Sequence, residues 1–150
     1  MHPLSSIDIV SRSPEETHKL GKRLAGVLGD DDVVFLSGPL GSGKTVVAKG
    51  IAEGLRVAEG RDVLSPSFTL VRSYSGEREL HHVDLYRVST SSDAGELVAM
   101  APHGILVIEW PERGEGFLPE PTWTVAIEFM DSHRRLTIAG PDSLLRMVQT

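Results

Sequence analysis

Val33-Val34-Phe35-Leu36-Ser37-Gly38-Pro39-Leu40-Gly41-Ser42-Gly43-Lys44-Thr45 joins an unbroken apolar run to a glycine-rich loop. The run Val33–Leu36 has the pattern of a central strand buried on both faces. Gly38–Thr45 satisfies G-x-x-x-x-G-K-[ST]. Glycine reaches backbone conformations closed to other residues, so successive N–H groups can turn inward onto phosphate oxygens. A helix opening near Gly43 adds its positive N-terminal end. Lys44 is then placed for the β- and γ-phosphates, and the Thr45 hydroxyl for magnesium. A chance match in a chain of 150 residues is expected roughly once in a few hundred. The flanking strand and helix are the context that the motif requires, and the expectation is a magnesium-bound purine nucleoside triphosphate held by Gly38–Thr45.

The segments around this loop extend the reading. Ile7 and Ile9 suit a short first strand. Ser13-Pro14-Glu15-Glu16 reads as a helix start, with Ser13 as cap, Pro14 at the first position and Glu16 as the acid of a capping box. Leu20, Leu24, Val27 and Leu28 recur at helical spacing up to Gly29. Val46, Val47, Ile51 and Leu55 mark a second helix, with Gly54 a weak point near its end. Phe68–Tyr74 and Glu79–Tyr86 read as an antiparallel pair joined around Ser75-Gly76. Ser89–Ser92 is a polar loop leading to a helix over Asp93–Met100. Ile105–Ile108 is a second central strand. Trp123, Val125, Ile127 and Phe129, then Leu136 and Ile138, alternate as a C-terminal hairpin with one wet face. The fold class is α/β: a single P-loop NTPase domain over residues 1–150, with a mixed sheet, parallel at its centre, flanked by helices.

Composition narrows the function classes. Hydrophobic residues make up 40% and charged residues 24%, as in ordinary soluble domains. The formal net charge of −6 argues against gripping nucleic acid directly by counterion release. No cysteine is present, which removes disulfides, thiolate catalysis and thiolate-bound zinc. The start MHPLSSIDIV lacks the pattern of an export signal. The apolar runs are too short to span a bilayer, so the expected location is the cytoplasm, without a membrane.

A magnesium nucleotide site needs a second metal anchor and a group that positions water. Asp84 ends one predicted strand and Glu109 directly follows Ile105–Ile108, so both reach the sheet edge where ligands bind. The competing readings are a surface Asp84–Arg87 pair and a Glu109 that is only leaving the core. Asp84 is assigned to magnesium and Glu109 to water, with the roles exchangeable. Ser67 or Thr69 can sense the γ-phosphate, or the segment is an ordinary turn. His81 and His82 are read as one core-facing and one exposed strand residue. Trp110 either packs near a ligand or covers the core, and Arg134-Arg135 is read as a solvated turn.

Taken together, Gly38–Thr45, Ser65-Pro66-Ser67-Phe68-Thr69-Leu70, His82-Val83-Asp84-Leu85-Tyr86-Arg87 and Glu109-Trp110-Pro111 resemble the TsaE (YjeE) family. That family comprises P-loop ATPases of bacterial tRNA threonylcarbamoyladenosine biosynthesis. The motifs stand in the family's order and close to its spacing, from about Asp32 to Pro119. Pro14-Glu15-Glu16-Thr17 is similar to the family's first helix, whose threonine lies toward the base. The resemblance implies a Mg-dependent ATPase, slow without its partners, that acts on the threonylcarbamoyl transferase subunit and its paralogous partner subunit. It implies tRNA contact only through that complex. It implies ATP and magnesium at Gly38, Pro39, Leu40, Gly41, Ser42, Gly43, Lys44 and Thr45, with Thr17, Ser67 and Trp110 beside the nucleotide. Lys44, Asp84 and Glu109 take the catalytic roles, and Thr45, Asp84 and Glu109 surround the metal. Three features depart from the pattern: Ser67 replaces a threonine, Ser89–His103 is short and poor in acids, and Pro141–Thr150 has no counterpart.

Two other functions fit the loop. A small-molecule or nucleotide kinase needs an acceptor pocket and usually an arginine-bearing lid. Arg72, Arg78 and Arg87 are present, but no arginine-rich insertion is. A non-hydrolysing, nucleotide-gated binding module would leave Glu109 structural. The absence of an N-K-x-D tetrad favours ATP over GTP.

Overall fold

In chain order the elements are β1 (Leu4–Ser11), α1 (Pro14–Ala25), β2 (Val33–Ser37) and α2 (Lys44–Gly54). They continue with β3 (Asp62–Leu64), β4 (Leu70–Tyr74), β5 (Leu80–Asp84) and α3 (Ser91–Ala99). The chain closes with β6 (Ile105–Glu109), a 3-10 turn (Pro111–Gly114), β7 (Trp123–Phe129), β8 (Arg134–Pro141) and α4 (Asp142–Gln149). This is a computed structural model, and it describes residues 4–57, 62–64, 70–101 and 103–149. The segment with Ser65–Thr69, including the proposed sensor residues Ser67 and Thr69, lies outside the described residues.

The 8-stranded sheet has the order β1-β8-β7-β2-β6-β5-β4-β3. Its centre, β7-β2-β6-β5, is parallel throughout. The flanking pairs β1/β8, β7/β8, β4/β5 and β3/β4 are antiparallel. The two central apolar runs are therefore where a both-faces-buried pattern belongs. Val34, Leu36, Ile105 and Val107 pack under α1 and α2 on one face. Val33 and Ile108 pack with Val83, Leu85 and the α3 residues Ala94, Leu97 and Val98 on the other. The result is an α/β fold with a parallel-centred mixed sheet and a C-terminal hairpin, as the sequence pattern predicts.

The differences have physical causes. β1 runs further than Ile7 and Ile9 suggest because it pairs with β8 in unbroken register from Leu4↔Pro141 to Ser11↔Arg134. Helix α3 starts before Asp93 because the Thr90 hydroxyl accepts the Asp93 N–H at 3.0 Å, a standard cap. The tail forms α4, whose Leu145 and Val148 enter the core beside β1 and β8. Phe129 is 48% exposed, since alternation has run out where the hairpin leaves the core. His81 and His82 are both buried, at 1% and 9% exposure, so the reading of one exposed partner is wrong. Strand β5 lies between β4 and β6, and its two faces are both covered. Arg134 and Arg135 are not a solvated turn either. They begin β8, with Arg134 4.3 Å from the Phe129 ring centroid and Arg135 bonded to Glu128 at 3.0 Å.

The helix bearing the loop is held by unusually close contact with α1. A methyl group added at Gly50 would collide with the His18 carbonyl oxygen and sit 3.1 Å from Gly21 Cα. Gly54, read as a weak point, has the same use: a methyl there would lie 2.6 Å from Ala25 Cβ. Alanine is the better helix former by about 1 kcal/mol, but overpacking costs about 1–3 kcal/mol. Gly50→Ala is therefore expected to lower stability in urea or thermal unfolding, by about 2–4 °C for each kcal/mol lost. A raised midpoint would mean that the two helices are not limited by backbone contact.

Candidate functional site

The turn from β2 into α2 requires positive φ at glycine. Gly38, Gly41 and Gly43 have φ of 148°, 79° and 117°, a region that other residues enter only with strain. A side chain at Gly38 would also press on the Ile127 carbonyl oxygen at 2.7 Å and on Ser42 Oγ at 2.8 Å. Gly43 precedes α2 without any side-chain cap, so the first N–H groups of the helix face outward from the loop. Ser42 Oγ is buried with no hydrogen-bond partner among the described residues. Orphan amides, a positive helix end and an unpartnered hydroxyl form a cradle whose complement is an anion with several acceptor oxygens.

Lys44 is folded back on this loop. Its Nζ donates to the Gly38 and Pro39 carbonyl oxygens at 2.6 and 2.9 Å. It also lies 4.1 Å from the Trp110 ring centroid, within cation–π range. Burial pulls the Lys44 pKa below its usual value, and the negative charges of Glu109, Glu112 and Asp84 oppose that shift. Trp110 itself is held in left-handed backbone at φ 60°, ψ 50°, directly after β6. Its amide donates to the Leu36 carbonyl at 3.3 Å, tying the turn to β2. Tyr86 packs against it with ring centroids 5.0 Å apart.

Asp84 and Glu109 are register partners at the ends of parallel strands β5 and β6. Glu109 is 3% exposed, and both its oxygens accept the Thr45 hydroxyl, at 3.1 Å each. Its Oε2 also receives His82 Nε2 at 2.5 Å. Asp84 accepts the Tyr86 N–H at 3.0 Å; Arg87, its suggested surface partner, is exposed. Burial pushes the Asp84 pKa up. The Tyr86 hydrogen bond opposes this, the Glu109 charge adds to it, and His82 and Lys44 act against it. Two carboxylates thus share one cleft with one ammonium.

That cleft, of about 280 Å³, is lined by loop residues, Lys44, Thr45, Asp84, Tyr86, Glu109 and Trp110. The hard oxygen set of Thr45, Asp84 and Glu109 suits magnesium, which completes its shell with phosphate oxygens and water rather than with a protein cage. Among the described residues there is no cluster of three or more carboxylate, imidazole or thiolate side chains able to enclose a metal. Thr17 sits on the other side of the loop. It lines a second cleft of about 180 Å³ with Arg12, Ser13, Gly41–Gly43, Val46 and the hairpin residues Ser132, His133 and Arg134. The Thr17 hydroxyl is engaged by Ser11 Oγ at 2.7 Å. The sequence reading gave His82 and Arg134 no place at the site and did not single out Ser132 and His133, because contacts between residues far apart in the chain leave no local mark.

The family model for "Threonylcarbamoyl adenosine biosynthesis protein TsaE" matches residues 11–137. The chain belongs to the TsaE family. A TsaE protein of Treponema pallidum is 38% identical over 134 residues, covering 87% of this chain and 98% of its own. One from Aquifex aeolicus is 36% identical over 129 residues, covering 85% and 91%. The crystal structure of Bacillus subtilis YdiB superposes with a TM-score of 0.74 at 28% identity, covering 99% of this chain and 95% of that one. The TsaE match extends past both ends of the motif-bearing segment, from the last residue of β1 into β8.

The shifted Asp84 has a consequence for stability. Its folded pKa lies above the unfolded one, so its stabilising contribution is complete below the unfolded pKa and is lost as pH rises through the folded value. Asp84→Asn removes that loss and keeps an acceptor for Tyr86. The variant is expected to unfold at a higher temperature than the parent at pH 7 without ligand, with the difference fading as pH falls below the unfolded carboxylate range. Thermal scans at pH 7 and below that range test this, and an unchanged or lower midpoint at pH 7 contradicts it.

Proposed function

We propose that this TsaE protein binds ATP with magnesium in the Gly38–Thr45 loop and hydrolyses it slowly, as an accessory ATPase of tRNA threonylcarbamoyladenosine modification. It acts on the threonylcarbamoyl transferase subunit and its paralogous partner subunit, reaches tRNA only through them, and works in the cytoplasm. The single observation that carries the reading is the convergence of Lys44, Thr45, Asp84 and Glu109 from α2, β5 and β6 on one cleft beside the loop. Among the described residues no helix is long and apolar enough to cross a membrane.

On this reading, the loop amides receive the phosphate tail and Lys44 leaves the Gly38 and Pro39 carbonyls to face it. Thr45 releases Glu109 and turns its hydroxyl into the cleft, with Asp84 opposite. Magnesium, when bound there, offsets phosphate charge and the excess carboxylate charge. Glu109 orients the attacking water. The second cleft, with Thr17 and the β7–β8 hairpin, receives the nucleoside. A kinase is less well supported, since no arginine among the described residues lines the phosphate-side cleft.

Four measurements test this. Lys44→Ala should weaken ATP binding by about tenfold or more, as read with a fluorescent ATP analogue; normal affinity would contradict the site. Thr45→Ala and Asp84→Ala should cost more affinity with magnesium than without, and equal losses would remove them as ligands. Glu109→Gln should stop phosphate release while ATP still binds; unchanged turnover would leave the non-hydrolysing module as the better description. A pull-down from lysate should recover the transferase subunit in an ATP-dependent way.

A further inference from the structure

Glu109 is a buried carboxylate whose hydrogen bonds among the described residues come from two donors of different standing. Thr45 lies on the exposed side of the cleft and touches both oxygens at 3.1 Å. The His82 side chain is 10% exposed and reaches Oε2 alone, at 2.5 Å. His82 precedes Asp84 by two residues on β5, so the two point to the same face. On that face Asp84 pairs with Glu109, and His82 pairs with Val107. The imidazole therefore approaches Glu109 from the apolar interior, beneath the carboxylate, and not from the ligand side.

We infer that His82 is a positioning residue for Glu109, through the 2.5 Å Nε2–Oε2 contact, and that it aims the other oxygen of Glu109 into the cleft for the attacking water. The inference rests on the ATPase reading above. With Glu109 ionised, both its oxygens are acceptors, so Nε2 carries the hydrogen and donates. A charge-assisted bond of this length to a buried partner fixes the carboxylate plane. Once the Thr45 hydroxyl turns toward the nucleotide, Oε2 remains held from behind and Oε1 alone faces the cleft. The one oxygen left facing the cleft is a well-aimed hydrogen-bond acceptor. Asp84 lies opposite, half-buried, its Oδ1 bonded among the described residues to the Tyr86 backbone N–H. On this reading Asp84 is the carboxylate that anchors the cation and Glu109 the one that serves the water.

The test uses the full chain with His82→Leu, His82→Gln and Glu109→Gln. Glutamine places an amide donor near the position of imidazole Nε2, while leucine fills the volume without one. Expected results are a fall in kcat of about 10- to 100-fold for His82→Leu, KM for Mg-ATP within about threefold, and recovery of most of kcat in His82→Gln. Independently of activity, the ring 15N and 1H signals of His82 in nucleotide-free, metal-free protein should report an Nε2–H hydrogen bond that Glu109→Gln weakens. The inference is overturned if His82→Leu turns over like the parent while Glu109→Gln does not. It is likewise overturned if leucine and glutamine variants lose activity and fold equally, or if the ring signals ignore Glu109→Gln. If the parent releases no more phosphate than Lys44→Ala, the ATPase reading itself fails and the inference falls with it, a result distinct from the others.

Discussion

Glu109 and Asp84 end neighbouring parallel strands at paired positions, and among the described residues one buried ammonium, that of Lys44, faces them. Burial above all, with the nearby Glu109 charge adding to it, makes the Asp84 carboxyl hold its proton more tightly than usual. Each nearby polar group relieves part of that imbalance. His82 and Thr45 donate to Glu109, the Tyr86 amide donates to Asp84, and Lys44 contributes its charge from the loop. The remaining excess of negative charge makes the cleft electrostatically favourable to a cation.

The rest of the fold keeps that charge cluster rigid. Parallel pairing of β2 with β6 and of β6 with β5 sets the loop, Glu109 and Asp84 side by side. The helix that follows the loop cannot drift, because its glycines bring it against α1 at backbone distance. The hairpin β7–β8 and β1 complete the sheet on the other side of the loop, and α4 seals their apolar edge with Leu145 and Val148. Two clefts thus flank one loop: a charged cleft over β5 and β6, and a narrower one between α1 and the hairpin turn.

Part of the local structure is held against its own preference. Trp110 occupies left-handed backbone, which costs of order 1–3 kcal/mol for a residue of its size. In return its indole covers the Lys44 ammonium and stacks with Tyr86. The withdrawn lysine and the Thr45–Glu109 contact satisfy the site's polar groups internally. Phosphate oxygens would have to compete with those partners, so affinity reflects a difference between two sets of hydrogen bonds rather than the sum of one.

Much of this was legible in the chain itself. The run Val33–Leu36, the loop Gly38–Thr45 and the run Ile105–Ile108 carry information about strand, turn and helix within a few residues, because backbone freedom and two-faced burial are local properties. The positions of Asp84 and Glu109 at strand ends followed for the same reason. Other features belong to the tertiary structure alone. That His81 and His82 are both buried depends on which strands flank β5. That α4 forms depends on an apolar groove built by β1 and β8 from opposite ends of the chain. That His82 bonds Glu109, and that Ser132–Arg134 approach Thr17, depends on contacts between residues far apart in sequence, and periodicity carries no record of those.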